Sequence, residues 1–160
     1  MSTATVVLAL VTAAGAACNG GVFYAFSSFV MPALARIPPA QGVAAMQSIN
    51  VTAVRAPFML LFAGTALLSV AVAVVAIAAL GESHAPWLLA GAVLYLAGDL
   101  GLTKAYHVPR NDALDALVPD APETPDAWRT YLSEWTTGNH VRAAAAMASA
   151  AALAIGVQVG

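Results

Sequence analysis

The sequence predicts an all-α membrane protein, a four-helix transmembrane bundle with short interfacial helices in its first and third loops. Of its 160 residues, 61% are hydrophobic and only 9% are charged, and the mean hydropathy is +0.81. A bilayer core about 30 Å thick takes roughly 20 apolar residues per helix, and four segments of the chain meet this requirement. The whole chain, residues 1–160, is therefore predicted to be a single integral membrane domain, with spans at about 3–30, 56–80, 86–106 and 139–157.

The first span contains no charged residue and is followed by a proline-rich stretch that includes Arg36, where the chain leaves the membrane. Residues 41–54 have the apolar spacing of a short amphipathic helix, which predicts an interfacial helix in the first loop. The apolar positions of that segment include Val43, Ala44, Met46 and Ile49.

The remaining spans are separated by one very short turn and one long polar connection. Residues 81–84 form the turn between the second and third spans. Residues 108–134 are rich in Pro, Asp and Glu and contain Trp128 and Tyr131, which predicts an aqueous or interfacial loop with two short helices. The fourth span is rich in alanine, whose small side chain allows close helix packing. Such faces permit a homo-oligomer without requiring one.

Few basic residues are present, and they flank the two longer loops. Arg36 and Arg55 border the first loop, and Lys104, Arg110 and Arg129 border or lie in the third. The positive-inside rule then predicts a multi-pass protein of the cell membrane with both longer loops in the cytoplasm and both termini outside. The lipid bilayer is its expected surrounding, and nucleic-acid binding is excluded because no basic run could hold phosphates.

Polar residues in or beside the spans gather at one end of the predicted bundle. Such groups are costly at membrane depth, so they usually face the bundle interior and are paired. This concentration of polar groups is the main indication of function. Its members are Asn19, Gln47, Asn50, Arg55, Asp99, His107, Asn111, Trp135, Asn139, His140 and Arg142.

Two charged residues fall within the spans and need an explanation. Arg142 lies one turn into the fourth span, where it either extends to the headgroups or anchors an anion. Asp99 lies about two turns from the end of the third span. It is either neutralised by Arg142 or Lys104, or it is a buried carboxylate that can accept a proton.

Two histidines lie at the same end of the bundle, His107 at the end of the third span and His140 at the start of the fourth. If they approach each other, they could contribute to a metal site, although zinc or copper would need further ligands. His140 is the better candidate for a general base, because histidine titrates near neutral pH. Asn139 has the sequence context of a helix cap. The only cysteine, Cys18, allows no intramolecular disulfide within this sequence.

Four aromatic residues surround the first helix near the polar end. They either face lipid, fill the core or line a flat cavity for an aromatic substrate. These residues are Phe23, Tyr24, Phe26 and Phe29.

Several blocks along the chain resemble the anthrone oxygenase-like integral membrane proteins. In the first half they are residues 20–27 (GGVFYAFS), 30–34 (VMPAL) and 45–50 (AMQSIN). In the second half they are residues 108–111 (VPRN) with Leu114, and Trp135 with residues 139–142 (NHVR). Together the blocks extend over nearly the whole chain.

The resemblance implies a membrane-bound oxygenase that converts anthrone-like polycyclic aromatic substrates with molecular oxygen, without flavin or haem. It implies that His140 deprotonates the substrate and that Arg142 and Asn139 stabilise the oxyanion. Trp135 would pack against the rings, and Phe23 and Phe26 of the aromatic group on the first helix are further candidates for substrate binding. Asn50 and Asn111 would position substrate or oxygen, with Gln47 in a secondary place. No cofactor is expected, and a metal near His107 and His140 is left open.

Two other functions compete with the oxygenase. A small-molecule binding or transport protein of the membrane would use the same polar end as a vestibule without turnover. A structural subunit would use the polar groups only to fix helix packing. The concentration of Asn, His, Trp and Arg at one end favours the first two functions over the third.

Overall fold

The computed structural model describes all of residues 1–160 and contains five helices. They are α1 (Thr3–Leu34), α2 (Pro39–Ala53), α3 (Ala56–Ala78), α4 (Ala85–Asp115) and α5 (Thr124–Val159). All but α2 are long and apolar enough to cross a membrane. The predicted all-α fold with four membrane-spanning helices is confirmed.

Local sequence signals set where the helices begin. Each helix after α1 has a proline in its first turn, where the missing N–H would have no intrahelical acceptor: Pro39, Pro57, Pro86 and Pro125. The turn between α3 and α4 contains Gly81, whose φ of 108° is accessible to glycine at little cost.

The third connection differs from its predicted form. Its helical residues do not make separate short helices but are continuous with the spans, because α4 runs on to Asp115 and α5 already begins at Thr124. Only residues 116–123 connect the two helices. Three stretches within α1 and α4 have π-helical hydrogen bonding: Phe26–Val30, Leu96–Gly101 and Thr103–His107.

Small residues let α5 pack closely against α4. A Cβ atom at Gly98 would lie 2.5 Å from the Cβ of Ala145, and one at Gly91 would lie 2.6 Å from Leu153. The Ser149 hydroxyl also donates a hydrogen bond of 2.7 Å to the Gly91 carbonyl. Such close backbone approach is how helices associate in a membrane, where burial of apolar surface provides no driving force.

The two ends of the bundle are different in character. At one end the amino terminus contacts the Gly160 carbonyl at 3.0 Å, and Ser83 bonds to the Val159 carbonyl, so both termini meet the α3–α4 turn there. At the other end α2 packs against α5 in an aromatic core. That core comprises Met31, Val43, Met46, Leu114, Trp128, Tyr131 and Trp135.

The short helix α2 contacts α5 through a glycine. Val43 and Met46 are buried as the amphipathic pattern predicts, whereas Ala44 is exposed. Gly42 is buried instead, and a Cβ atom there would lie 2.8 Å from the ring of Trp128. The indole therefore occupies the place of a side chain at this position.

We expect Gly42→Ala to destabilise the docking of α2 on α5. The added methyl group overlaps a buried, stacked indole, and overpacking of this kind typically costs about 1–3 kcal/mol. Thermal unfolding in detergent measures the effect. Gly64→Ala is the matched control, because a Cβ atom at Gly64 meets nothing within 4 Å. Equal melting temperatures for the two variants would show that this contact adapts without cost.

Candidate ligand cavity

A cavity of about 770 Å³ lies at the aromatic end of the bundle, between all five helices. This volume is within the range of about 300–1,000 Å³ that is typical of small-molecule sites. The cavity exists because α3 has only 23 residues, compared with 31 to 36 in the other three long helices. Beyond the start of α3, the short helix α2 closes only part of the gap.

The cavity wall is largely aromatic. The rings of Phe58 and Phe62, one turn apart on α3, are stacked with centroids 5.9 Å apart. Phe23 meets both of these rings edge-on, at 6.3 and 6.4 Å. On the other side, Phe26 packs against Trp135 at 5.7 Å. These rings form flat apolar surfaces suited to an aromatic ligand.

Arg142 places a positive charge in this aromatic wall. Its side chain is buried, only 6% exposed, so it does not extend to the headgroups. The guanidinium carbon lies 4.3 Å from the centre of the Phe23 ring and 5.2 Å from that of Trp135. Nη1 donates to Thr103 Oγ1 at 3.1 Å, and Nη2 donates to Asn139 Oδ1 at 2.7 Å. The guanidinium is therefore held rigidly between two rings.

Asn139 holds Arg142 in place but does not itself line the cavity. Its Nδ2 donates to the Phe23 carbonyl and to Ser27 Oγ, both at 2.7 Å, while its Oδ1 accepts from Arg142. The residue lies in the middle of α5, so its predicted role as a helix cap is wrong. The amide instead joins α1 to α5.

Two of the other predicted amides reach the cavity. Asn111 Oδ1 accepts hydrogen bonds of 2.9 Å from Tyr131 and from Trp135, and its Nδ2 donates to no protein group. Asn50 lines the cavity and donates to Asp115 at 3.3 Å. Gln47 does not line it, because its amide nitrogen donates to the carbonyls of Leu114 and Leu117 and so ties α2 to α4.

The charges that line the cavity all have the same sign. Arg55, Lys104 and Arg142 are among the lining residues, and no carboxylate is. The two ion pairs of the protein lie elsewhere, between Arg110 and Glu134 at 2.9 Å and between Arg129 and Asp126 at 2.6 Å. The cavity is therefore apolar but electropositive, and it favours an anion.

The cavity opens between the α2–α3 junction and α4. Arg55 and Val54 lie on one side of this mouth, and Lys104 and Val108 lie on the other. All four residues are exposed. The mouth is thus apolar with a cation on each side, which suits an amphiphilic ligand that arrives from the membrane surface.

The two predicted site histidines, His107 on α4 and His140 on α5, lie in different environments. His107 is fully buried against Trp135, with ring centroids 5.3 Å apart, and its Nε2 has no hydrogen-bond partner. His140 is exposed and lines a separate, smaller depression of about 250 Å³ with Tyr24 and Met147. The structure therefore brings neither histidine into the large cavity, and neither belongs to a group of three or more His, Cys, Asp or Glu side chains that could hold a metal ion.

Several lining residues could not be singled out in the sequence. Phe58 and Phe62 belong to an apolar span in which any phenylalanine could face lipid. Thr103 carries no charge that would mark it in the sequence. Its position four residues after Asp99, on the same face of α4, is the one signal that could have indicated it. Of the aromatics on α1, Phe23 and Phe26 line the cavity, whereas Tyr24 and Phe29 are 59% and 62% exposed.

Fold and cavity together define a multi-pass membrane protein with an internal cavity whose wall is aromatic and positively charged. The sequence matches the protein family described as anthrone oxygenase over residues 58–152. The match spans more than half of the chain, and the protein belongs to this family. It includes the blocks at residues 108–111 and 139–142, while the blocks in the first half of the chain lie outside it. Neither the curated proteins nor the solved structures give a match.

Proposed function

We propose that the protein is an oxygenase that converts anthrone-like polycyclic phenols into quinones with molecular oxygen. The overall reaction takes one substrate CH₂ group and one O₂ to one C=O group and one water. The proposal rests on family membership and on one observation above all, the buried guanidinium of Arg142 in an aromatic cavity.

The chemistry asks for a site that favours the anion of the substrate. Loss of a proton from the CH₂ group leaves its electron pair delocalised onto the ring oxygen, and this electron-rich anion reacts directly with oxygen. A fixed cation beside that oxygen stabilises charge as it develops. Arg142, held by Thr103 and Asn139, is already in place for this role, so no side chain has to reorganise during the reaction.

The remaining wall residues bind and orient the substrate. Phe23, Phe26 and Trp135 offer ring faces to a flat polycycle. The unpartnered Nδ2 of Asn111 can donate to a substrate or peroxide oxygen. After oxygen adds to the carbon, the resulting peroxide anion takes up a proton to give a hydroperoxide, which then loses water to give the quinone. No redox cofactor is required for this sequence of steps.

A binding or transport protein without turnover is the second candidate, and the open mouth between α2 and α4 favours it. Both functions require the ligand to enter through this mouth. They differ in whether oxygen is consumed.

The positive-inside rule also places the cavity end of the bundle at the cytoplasmic face. All six Lys and Arg residues lie in that half of the bundle or in the loops beside it.

Oxygen uptake by the purified protein tests the proposal. In mild detergent or in vesicles, addition of an anthrone should cause uptake of one O₂ per quinone formed, at a rate proportional to the protein concentration. Heat-denatured protein gives the uncatalysed background. Ligand binding without uptake above that background would instead establish the binding or transport function.

We expect His140→Ala to retain most of the oxygenase activity. The imidazole is exposed and lies outside the cavity that holds Arg142, so it cannot reach a substrate bound there. The measurement is the oxygen-uptake rate of the variant relative to the wild type, with activity expected within about twofold. A loss on the order of 10²-fold, which is typical of removal of a general base, would restore the assignment of His140 as the base.

A further inference from the structure

Asp99 is a buried carboxylate in the interior of the bundle, one helical turn from the cavity. Its side chain is 0% exposed, and neither of its oxygens receives a hydrogen bond. Burying a charged group without a partner is costly, and carboxylates at membrane depth usually mark a functional site. Thr103, four residues along α4, lines the cavity, and its hydroxyl accepts a hydrogen bond of 3.1 Å from Arg142.

Arg142 of α5 is the only charged side chain that faces Asp99 from another helix. The guanidinium is close enough to act on the carboxylate electrostatically. α1 and α3 contain no Asp, Glu, Lys, Arg or His residue. On α4 itself Tyr95, one turn before Asp99, is close enough to interact with the carboxylate electrostatically, and its hydroxyl donates to the Phe62 carbonyl. Lys104 and His107 lie further along the same helix.

Asp99 and Arg142 do not form a direct ion pair. No nitrogen of Arg142 lies within 4.0 Å of an Asp99 oxygen. The two Nη atoms are bonded to Thr103 and Asn139, and Nε has no partner. A pair that served only to stabilise the bundle would have its charged atoms joined by hydrogen bonds. Here the guanidinium of Arg142 is held by its hydrogen bonds, whereas the carboxylate of Asp99 has no hydrogen-bond partner.

We propose that Asp99 accepts the proton that the substrate loses, so that Arg142 exchanges the carboxylate for the substrate oxyanion as its counterion. The inference rests on the proposed oxygenase function. The C–H bond breaks, its electron pair remains on the substrate as the oxyanion, and the proton passes to Asp99, one helical turn from the cavity. When oxygen has added, Asp99 returns the proton to the peroxide, and the carboxylate is regenerated.

Charge balance is the physical reason for this arrangement. Before the transfer, the buried site contains one carboxylate and one guanidinium. Afterwards it contains a neutral acid, the same guanidinium and a substrate anion. The number of buried charges of each sign does not change, so a neutral substrate is ionised without moving a net charge into the low-dielectric interior. The π-helical segments that contain Asp99 and Thr103 are of a kind that occurs frequently at functional sites.

Binding of a hydroxyanthraquinone tests the exchange without any turnover, because the ligand resembles the product and its anion has a distinct visible spectrum. In the pH range in which the free ligand is ionised, binding of the anion by the wild type should take up one proton. The Kd for the anion should therefore rise tenfold per pH unit. In Asp99→Asn the Kd should be independent of pH and, at high pH, lower than in the wild type. Asp99→Glu should restore the pH dependence.

Three results would overturn the inference. They are a Kd of the wild type that does not change with pH, a pH dependence that persists in Asp99→Asn, and weaker anion binding by Asp99→Asn than by the wild type at every pH. The wild-type measurement stands by itself if the Asn variant does not fold. Proton uptake on binding can also be confirmed with a pH indicator.

Turnover separates this inference from the function on which it rests. If oxygen uptake is observed, Asp99→Asn should lower its rate on the order of 10²–10⁴-fold, the range for loss of general acid–base catalysis. Asp99→Glu should recover part of that rate. Proton-linked binding without oxygen uptake would leave the counterion exchange in place and remove the oxygenase. Oxygen uptake at the same rate in Asp99→Asn and the wild type would support the oxygenase and remove the role of Asp99.

Discussion

Replacing Arg142 with Met is expected to lower kcat/KM for the oxygenation of an anthrone on the order of 10²–10³-fold. This is the typical cost of removing one donor that stabilises a developing oxyanion. Met fills a similar volume and keeps the contacts with Phe23 and Trp135, so the change removes mainly the charge. Arg142→Lys should be intermediate, because it retains the charge but loses the fork that bonds to Thr103 and Asn139. Initial rates of oxygen uptake give the result.

Two controls accompany the Arg142 variants. Arg129→Met removes an exposed arginine whose ion pair with Asp126 lies outside the cavity, and it should leave the rate unchanged. Arg142→Met also leaves Asp99 without a nearby cation, which can destabilise the bundle. The double variant with Asp99→Asn removes that unpaired carboxylate, and its melting temperature shows whether the fold is intact. Wild-type rates in Arg142→Met would place the chemistry elsewhere.

Trp135→Ala is expected to give the largest loss of stability, about 3–5 kcal/mol by the usual cost of truncating a buried aromatic residue. The indole is 4% exposed and packs against Phe26 of α1, His107 of α4 and Tyr131 of its own helix. Its N–H donates to Asn111. The side chain therefore joins three helices at the cavity wall. Thermal unfolding in detergent measures the loss.

Trp87→Ala is the matched control for this truncation. Trp87 lies near the start of α4 at the opposite end of the bundle and is 42% exposed, so its removal should cost much less. Trp135→Phe should fall between the two variants, because it keeps a ring but leaves Asn111 without this donor. Equal melting temperatures for the two alanine variants would contradict the assignment of Trp135 to the core of the cavity wall.

The fold could be predicted from the sequence because the bilayer imposes a simple rule. A run of about 20 apolar residues must form a helix to satisfy its backbone hydrogen bonds, so hydropathy alone locates the spans. The same rule gives no information once the helix leaves the hydrocarbon. This is why the polar continuations of α4 and α5 resembled separate loop helices.

The candidate site could be predicted only in part, because sequence position gives the depth of a residue but not its direction. The sequence predicts Arg142, Trp135 and Asn111 at one end of the bundle, because polar groups at membrane depth usually turn inward. In the structure Trp135 contacts both of the other residues. His140 lies at the same depth but points away from them, two residues beyond Gly138, which contacts His107. Only the packing of the helices distinguishes Phe58 and Phe62 from aromatic residues that face lipid.

If the proposed oxygenase reaction takes place in the cavity, the shortness of α3 affects how the substrate and oxygen are supplied. The opening that it leaves lies at the end of the bundle, where apolar residues and cations meet at the mouth. Both a polycyclic aromatic and molecular oxygen prefer hydrocarbon to water, so each is enriched in the bilayer. The rate should therefore depend on the amount of substrate per lipid rather than per volume of buffer, and adding empty vesicles should slow the reaction by dilution.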